Sequence, residues 1–178
     1  LPIPGQNVYN QSYLDRSDGM KPRAYIETTI LSYLTARPSR DLIQAAHQQI
    51  TQDWWESRRG DFDLYISELV IAEISCGDPE AAKKRREIAS SLPVLRSAPV
   101  AIDLADELLR LGVLPAVAAD DALHLAIASV YEMRFLLTWN CRHLANAEMT
   151  ESIEQAVSAW GYNPPVICTP QELMGRNE

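Results

Sequence analysis

Three carboxylates and one amide lie within or shortly after apolar segments of this chain: Glu27, Glu73, Asp121 and Asn140. Carboxylates gathered in one pocket repel one another and resist desolvation, so they stay ionised together only beside a cation. Oxygen ligands of this kind suit Mg²⁺ or Mn²⁺, which keep several waters and leave positions for a phosphate. These residue types therefore predict a divalent-metal site.

Each carboxylate also has a purely structural interpretation. Asp121 could only favour the positive end of a helix dipole, an effect worth roughly 0.3 to 1 kcal/mol, and Glu73 could be a solvated helix residue. Glu27 could be a helix cap. A cap needs only one oxygen, which Thr28 or Thr29 could supply, so we expect Glu27 to be free to face the pocket with the other two acids.

The segments that must position these groups alternate between short apolar runs and longer amphipathic ones. Strands are predicted over residues 24–28, 64–67, 135–138 and 166–169, with a weaker fifth over 93–95. Helices are predicted over 42–59, 68–76, 80–90, 99–111, 115–132 and 150–160, and a further one can start at 30–34. This alternation predicts a three-layer α/β/α sandwich with a central, mostly parallel sheet, in which strand ends and the following helix starts meet at one edge.

Composition limits the classes of function. The net charge of -8 and pI of about 4.9 should repel phosphate backbones, so nucleic-acid binding would need a local basic patch or bridging metal ions. Three widely spaced cysteines without a C-x-x-C motif indicate reduced thiols, and no apolar run reaches the roughly 20 residues of a membrane span. We therefore expect a cytoplasmic protein without membrane contact. Residues 1–19 are predicted to be a disordered leader or tag, and 20–178 a single domain.

Four stretches together resemble the PIN-domain family of metal-dependent ribonucleases, especially the VapC-like toxins of bacterial toxin-antitoxin pairs. They are YIETTILSYL, ISELVIAEISCGD, DDALHLAIA and FLLTWNCRHL, in the order and spacing of the family. Position by position, the resemblance makes Glu27, Glu73 and Asp121 the metal-binding acids and places Asn140 where a fourth acid is common. Thr29 and Thr138 match hydroxyl residues that accompany the first and fourth acids.

The resemblance implies a PIN-like fold, Mg²⁺ (or Mn²⁺) as cofactor, and hydrolysis of RNA phosphodiesters. It also implies a cognate antitoxin protein and a homodimer. Arg37, Arg40 and Arg142 lie near the matching stretches and are candidate contacts to the RNA backbone. His124 lies three residues after Asp121 and is expected either to orient that carboxylate or to be a core residue.

Two departures from the family pattern support an alternative function. Glu27 is longer by one methylene than the usual aspartate, and Asn140 removes one negative charge from the site. The alternative is a catalytically impaired PIN-fold module that binds or scaffolds. A third class, a phosphoryl-transfer or receiver-like domain, lacks the adjacent nucleophilic aspartate and distal lysine that it would need.

Overall fold

The computed structural model of the protein describes residues 20–175, so the leader predicted over 1–19 lies outside the described residues. Five strands form one sheet in this part of the chain, and all neighbouring strands are parallel. The strands are β1 (Arg23–Ile26), β2 (Asp63–Ser67), β3 (Val94–Leu95), β4 (Phe135–Leu137) and β5 (Val166–Cys168). All five predicted strands are confirmed, including the weak one, with ends shifted by one or two residues.

Seven α-helices flank the sheet in the described residues. They are α1 (Thr28–Thr35), α2 (Leu42–Ser57), α3 (Glu68–Ile74), α4 (Pro79–Ala89), α5 (Pro99–Arg110), α6 (Ala119–Val130) and α7 (Thr150–Ala159). α1 contacts α2, α3 and α4, whereas α5 contacts α6 and α7. The predicted α/β/α sandwich is thereby confirmed. None of these helices has both the length and the apolar content to span a bilayer.

The helix boundaries differ from the sequence prediction by up to four residues, and at two of them a 3₁₀ turn takes the place of α-helix. The helix predicted from residue 115 becomes regular only at Ala119, because Ala116–Ala118 forms a 3₁₀ turn and Ala118 has φ -104° and ψ 36°. The helix predicted over 42–59 ends at Ser57, and Arg59–Asp61 forms a 3₁₀ turn instead.

The most buried elements are β1 and α6. Ala24, Tyr25 and Ile26 are fully buried in β1, and most of α6 from Ala122 to Ser129 is buried as well. Helix α6 is therefore buried in the core. Polar groups in such elements need hydrogen-bond partners, since an unpaired buried group costs about 1 to 3 kcal/mol. The buried polar residues of β1 and α6 therefore indicate the location of a candidate functional site.

The strand order β3-β2-β1-β4-β5 indicates the point on the sheet at which a ligand would bind. The chain runs outward from β1 to β2 and β3, then crosses to β4 and β5 on the other side, so the direction of the connections reverses between β1 and β4. In open parallel sheets, ligands bind at the carboxyl ends of the strands at such a point. Glu27 follows β1 and Thr138 follows β4, and Glu27 N donates to Leu137 O at 3.0 Å.

Candidate functional site

Glu27 is buried, 5% exposed, at the junction of β1 and α1. Its Oε2 caps α1 by accepting from Thr29 N at 3.1 Å, and it also accepts from Thr29 Oγ1 at 2.5 Å and Thr138 Oγ1 at 2.8 Å. The expectation that a threonine would cap the helix in place of Glu27 is wrong. Oε1 accepts no hydrogen bond within residues 20–175, so one oxygen serves the fold while the other stays available to a ligand.

Glu73 lies on α3 and is half-buried. Its Oε2 accepts hydrogen bonds from Thr28 Oγ1 and from His124 Nε2, the latter at 3.0 Å. Burial opposes ionisation of this carboxyl, but the hydrogen bond and the electrostatic attraction of His124, together with the hydrogen bond from Thr28, outweigh it and lower the pKa of Glu73 below its ordinary value. Glu73 is therefore an ionised carboxylate whose second oxygen has no partner in the described part of the chain.

Glu27, Glu73 and His124 form the one group of three acidic, cysteine or histidine residues in the described chain whose donor atoms all lie within 4.8 Å of one another. His124 is 1% exposed, and its Nε2 is 4.0 Å from Glu27 Oε1. No lysine or arginine pairs with either carboxylate in residues 20–175. Two carboxylates with free oxygens and no cationic side chain fit a hard divalent cation.

Asp121 belongs to a second cluster. Its Oδ1 accepts from Asn140 Nδ2 and its Oδ2 from His143 Nδ1, both at 2.8 Å. Asn140 Oδ1 in turn accepts from the backbone N–H of residues 142 and 143. Of the three predicted metal-binding acids, the structure therefore brings Glu27 and Glu73 together, whereas Asp121 is held in a neighbouring cluster. Of the two roles expected for His124, that of orienting Asp121 is wrong, because His124 contacts Glu73 and His143 takes that place. The other, a core residue, is confirmed, since His124 is buried and both of its ring nitrogens have partners.

Thr138 joins the two clusters. Its Oγ1 donates to Glu27 Oε2 and accepts from Asn140 N at 2.9 Å. Thr29 connects Glu27 to the backbone of the segment after β4, because its Oγ1 donates to Glu27 and accepts from Trp139 N at 2.9 Å. Both threonines singled out from the sequence thus contact the first acid.

Sequence reasoning gave no site role to three polar residues, Tyr25, Thr28 and Ser67, and left His143 open between orienting an acid and being a core residue. Thr28 and His143 contact the acids directly, Tyr25 contacts His124 through its buried hydroxyl, and Ser67 contacts Tyr25. One signal was present for Tyr25, since a tyrosine inside a buried strand needs a partner for its hydroxyl.

The three arginines proposed to contact RNA are exposed. Arg37 and Arg40 lie in the connection between α1 and α2, and Arg142 lies two residues after Asn140, to which its backbone N–H donates at 3.2 Å. Among the residues that the structure describes, no carboxylate pairs with any of the three. Their guanidinium groups are therefore open to an external anion.

Replacing Asn140 by aspartate should destabilise the protein without metal. The change removes the Nδ2 donor to Asp121 and puts two carboxylates against each other. The hydrogen bond that is lost is one to a charged group, and such a bond contributes about 1.5 to 3 kcal/mol. We expect a loss of that size in the free energy of unfolding in EDTA, measured with urea, and partial recovery in Mn²⁺. Asn146→Asp adds the same charge away from Asp121 and should change less. Equal losses for both variants would refute the role given to the amide.

No protein-family model matches the chain, and no curated protein sequence matches it. Solved structures do. A chain of VapBC2 from Rickettsia felis, bound to a DNA fragment from their promoter, aligns with TM-score 0.52 and 15% identity over 82% of this chain and 97% of that one. A chain of a toxin-antitoxin complex from Klebsiella pneumoniae aligns with TM-score 0.53 and 17% identity over 83% and 97%. At these identities the likeness concerns the fold, and it confirms the predicted PIN-like sandwich.

Proposed function

We propose that this protein is a metal-dependent ribonuclease that hydrolyses RNA phosphodiesters and is the toxin of a type II toxin-antitoxin pair. The observation that carries the proposal is the pair Glu27 and Glu73, each with one oxygen engaged by the protein and one free, at the switch point of the sheet. The fold shared with chains of VapBC2 and of a toxin-antitoxin complex supports the toxin assignment.

Glu27 and Glu73 would hold a Mg²⁺ or Mn²⁺ ion, with Asp121 as the third acid. Such an ion, when bound, lowers the pKa of water that attacks phosphorus and stabilises charge on the leaving oxygen. The remaining contributions come from the chain itself. Thr29 and Thr138 hold one oxygen of Glu27, and Thr28 with His124 holds one oxygen of Glu73, so neither acid has to be ordered when a cation arrives.

Asp121 is held in the same way by Asn140 and His143. His143 donates from Nδ1, and its Nε2 has no partner in the described residues. In the neutral ring this nitrogen is an acceptor, so it is a candidate partner for a hydroxyl group of RNA. Arg37, Arg40 and Arg142 would supply the local attraction that a chain of net charge -8 otherwise lacks.

The alternative of an impaired binding or scaffold module is not favoured. Its basis was Glu27 and Asn140, and both have positive roles in the site. The longer Glu27 side chain caps α1 with one oxygen and keeps the other free. Asn140 donates to Asp121, whereas an aspartate at that position would repel it.

The cognate partner that we propose is an antitoxin protein, supported by the toxin-antitoxin complex of the same fold. A homodimer is proposed from the family resemblance alone. A cytoplasmic location is supported by the free cysteines, since Cys76, Cys141 and Cys168 form no disulfide.

Incubating the protein with a panel of cellular RNAs tests the proposal directly. We expect cleavage with Mg²⁺ or Mn²⁺ and none in EDTA, because the carboxylates alone cannot activate water. Asp121→Asn should lose cleavage, whereas Asp120→Asn, an exposed neighbour on the same helical turn, should retain it. Cleavage that persists in EDTA or in Asp121→Asn would show the assignment to be wrong.

A further inference from the structure

A continuous chain of hydrogen bonds connects the buried hydroxyl of Ser67 to Glu73. Ser67 Oγ lies 2.6 Å from Tyr25 OH, which lies 2.7 Å from His124 Nδ1, and His124 Nε2 lies 3.0 Å from Glu73 Oε2. Ser67 and Tyr25 have no exposed surface and His124 is 1% exposed. The four residues come from β2, β1, α6 and α3, so the chain links four elements at one point.

The direction of every proton in this chain follows from its end at Glu73. An ionised carboxylate only accepts, so His124 Nε2 carries a hydrogen and donates it. A neutral imidazole with hydrogen on Nε2 accepts at Nδ1, so Tyr25 donates to it. Tyr25 has one hydrogen and therefore accepts from Ser67. Ser67 Oγ also accepts from Val70 N at 3.3 Å, and each polar atom has a partner.

One tautomer of His124 does not satisfy the chain. With hydrogen on Nδ1 alone, a bare Nε2 would face the Glu73 carboxylate at 3.0 Å, acceptor against acceptor. An unpaired buried polar group costs about 1 to 3 kcal/mol, so this tautomer is disfavoured. With hydrogen on both nitrogens, Nε2 would still donate to Glu73, and Tyr25 would accept from Nδ1 and donate to Ser67.

We propose that Tyr25 and Ser67 are positioning residues that fix His124 as a hydrogen-bond donor to Glu73, and that His124 is therefore not a ligand of the cation. To bind a cation through Nε2, His124 would need the disfavoured tautomer with hydrogen on Nδ1. Instead it occupies one oxygen of Glu73 and leaves the other for the cation. Hydrogen-bonded partners that orient metal ligands commonly contribute 10- to 100-fold, roughly, in metal affinity. The inference rests on the proposed function in one respect, which is the cation that Glu73 would bind.

The protonation state of His124 can be measured in the metal-free full chain by ¹⁵N NMR, with His124→Asn to assign its signals. We expect hydrogen on Nε2. A ring with hydrogen on Nδ1 alone would overturn the inference. The protonated nitrogen is read from the wild type, and the variant serves only to assign the signals.

Mn²⁺ affinity, measured by calorimetry, tests the positioning role. Tyr25→Phe keeps the buried ring but removes the donor to His124, and we expect its Mn²⁺ affinity to fall by about 10- to 100-fold. Tyr65→Phe is the matched control, because Tyr65 is paired with Tyr25 in the adjacent strand β2 and has no part in the chain. Its affinity should stay within about twofold of the wild type, by comparison with that range.

The outcomes separate this inference from the proposed function. If the wild type binds Mn²⁺ and Tyr25→Phe binds it equally well, the positioning role is wrong and the metal site stands. If the wild type binds no Mn²⁺, the proposed metal site fails, and the NMR result alone decides whether Tyr25 fixes His124.

Discussion

Replacing Glu73 by glutamine should lower metal-dependent RNA cleavage by at least about a hundredfold. Loss of a group that only orients a metal ligand costs roughly 10- to 100-fold, so loss of the ligand itself should cost at least the upper end of that range. The amide oxygen can still accept from Thr28 and His124, but the NH₂ group then presents hydrogens where the free carboxylate oxygen stood. The measurement is kcat/KM on a defined RNA in Mg²⁺ or Mn²⁺, with Mn²⁺ affinity alongside.

Glu68→Gln is the matched control for this experiment. Glu68 lies on the same helix α3, is exposed, and accepts only from Ser97 N at 3.1 Å. The control removes the same charge from the same helix and should leave cleavage unchanged. A similar loss in both variants would mean that the overall charge of α3, and not a ligand at position 73, governs activity.

Substitutions of Glu27 should change Mn²⁺ binding and protein stability separately, because the two oxygens of its carboxylate have different roles. Glu27→Gln keeps an oxygen that can cap α1 and accept from Thr29 and Thr138, so its stability in EDTA should stay close to the wild type while Mn²⁺ binding is lost. Glu27→Ala should lose metal binding and, in addition, about 2 to 4 kcal/mol of unfolding free energy. That figure combines a lost helix cap, about 0.5 to 2 kcal/mol, with buried donors left unpaired.

Urea unfolding in EDTA and calorimetry with Mn²⁺ measure the two effects separately. Asp41→Ala is the matched control for the cap alone, since Asp41 caps α2 at an exposed position by accepting from Gln44 N at 2.9 Å. It should cost about 1 kcal/mol and leave Mn²⁺ binding intact. If Glu27→Ala proved as stable as Glu27→Gln, the capping role would be refuted; if Glu27→Gln bound Mn²⁺ normally, the metal role would be refuted.

Local sequence pattern was enough to predict the framework of the molecule. Short apolar runs between amphipathic segments predicted all five strands, and their alternation with helices predicted the parallel sheet. The pattern predicted helix boundaries less well, because the backbone geometry at a helix end does not follow from hydrophobic period. At 115–119, a 3₁₀ turn replaces the first turn of the predicted helix. The gathering of acids at the strand ends followed from a general rule for parallel sheets.

The pairing of polar groups within the site could not be predicted in this way. Sequence proximity offered Asp121, three residues earlier on the same helix, as the one acid that His124 could orient, beside the alternative of a core residue. In the folded chain His124 instead reaches Glu73, 51 positions away, and Asp121 is held by His143, 22 positions away. A helical side chain contacts whatever the neighbouring elements place beside it, and that depends on how α3, α6 and the segment after β4 pack.

The sequence by itself thus determined which residues are acidic, which elements carry them and at which edge of the sheet they meet, because hydrophobic period and the topology of parallel sheets are properties of the chain pattern. Only the tertiary structure decided that Glu27 both caps α1 and offers a free oxygen, and that Tyr25 and Ser67 belong to the site through His124. These roles depend on hydrogen bonds of about 3 Å between residues from separate elements. Such distances are set by packing, not by spacing along the chain.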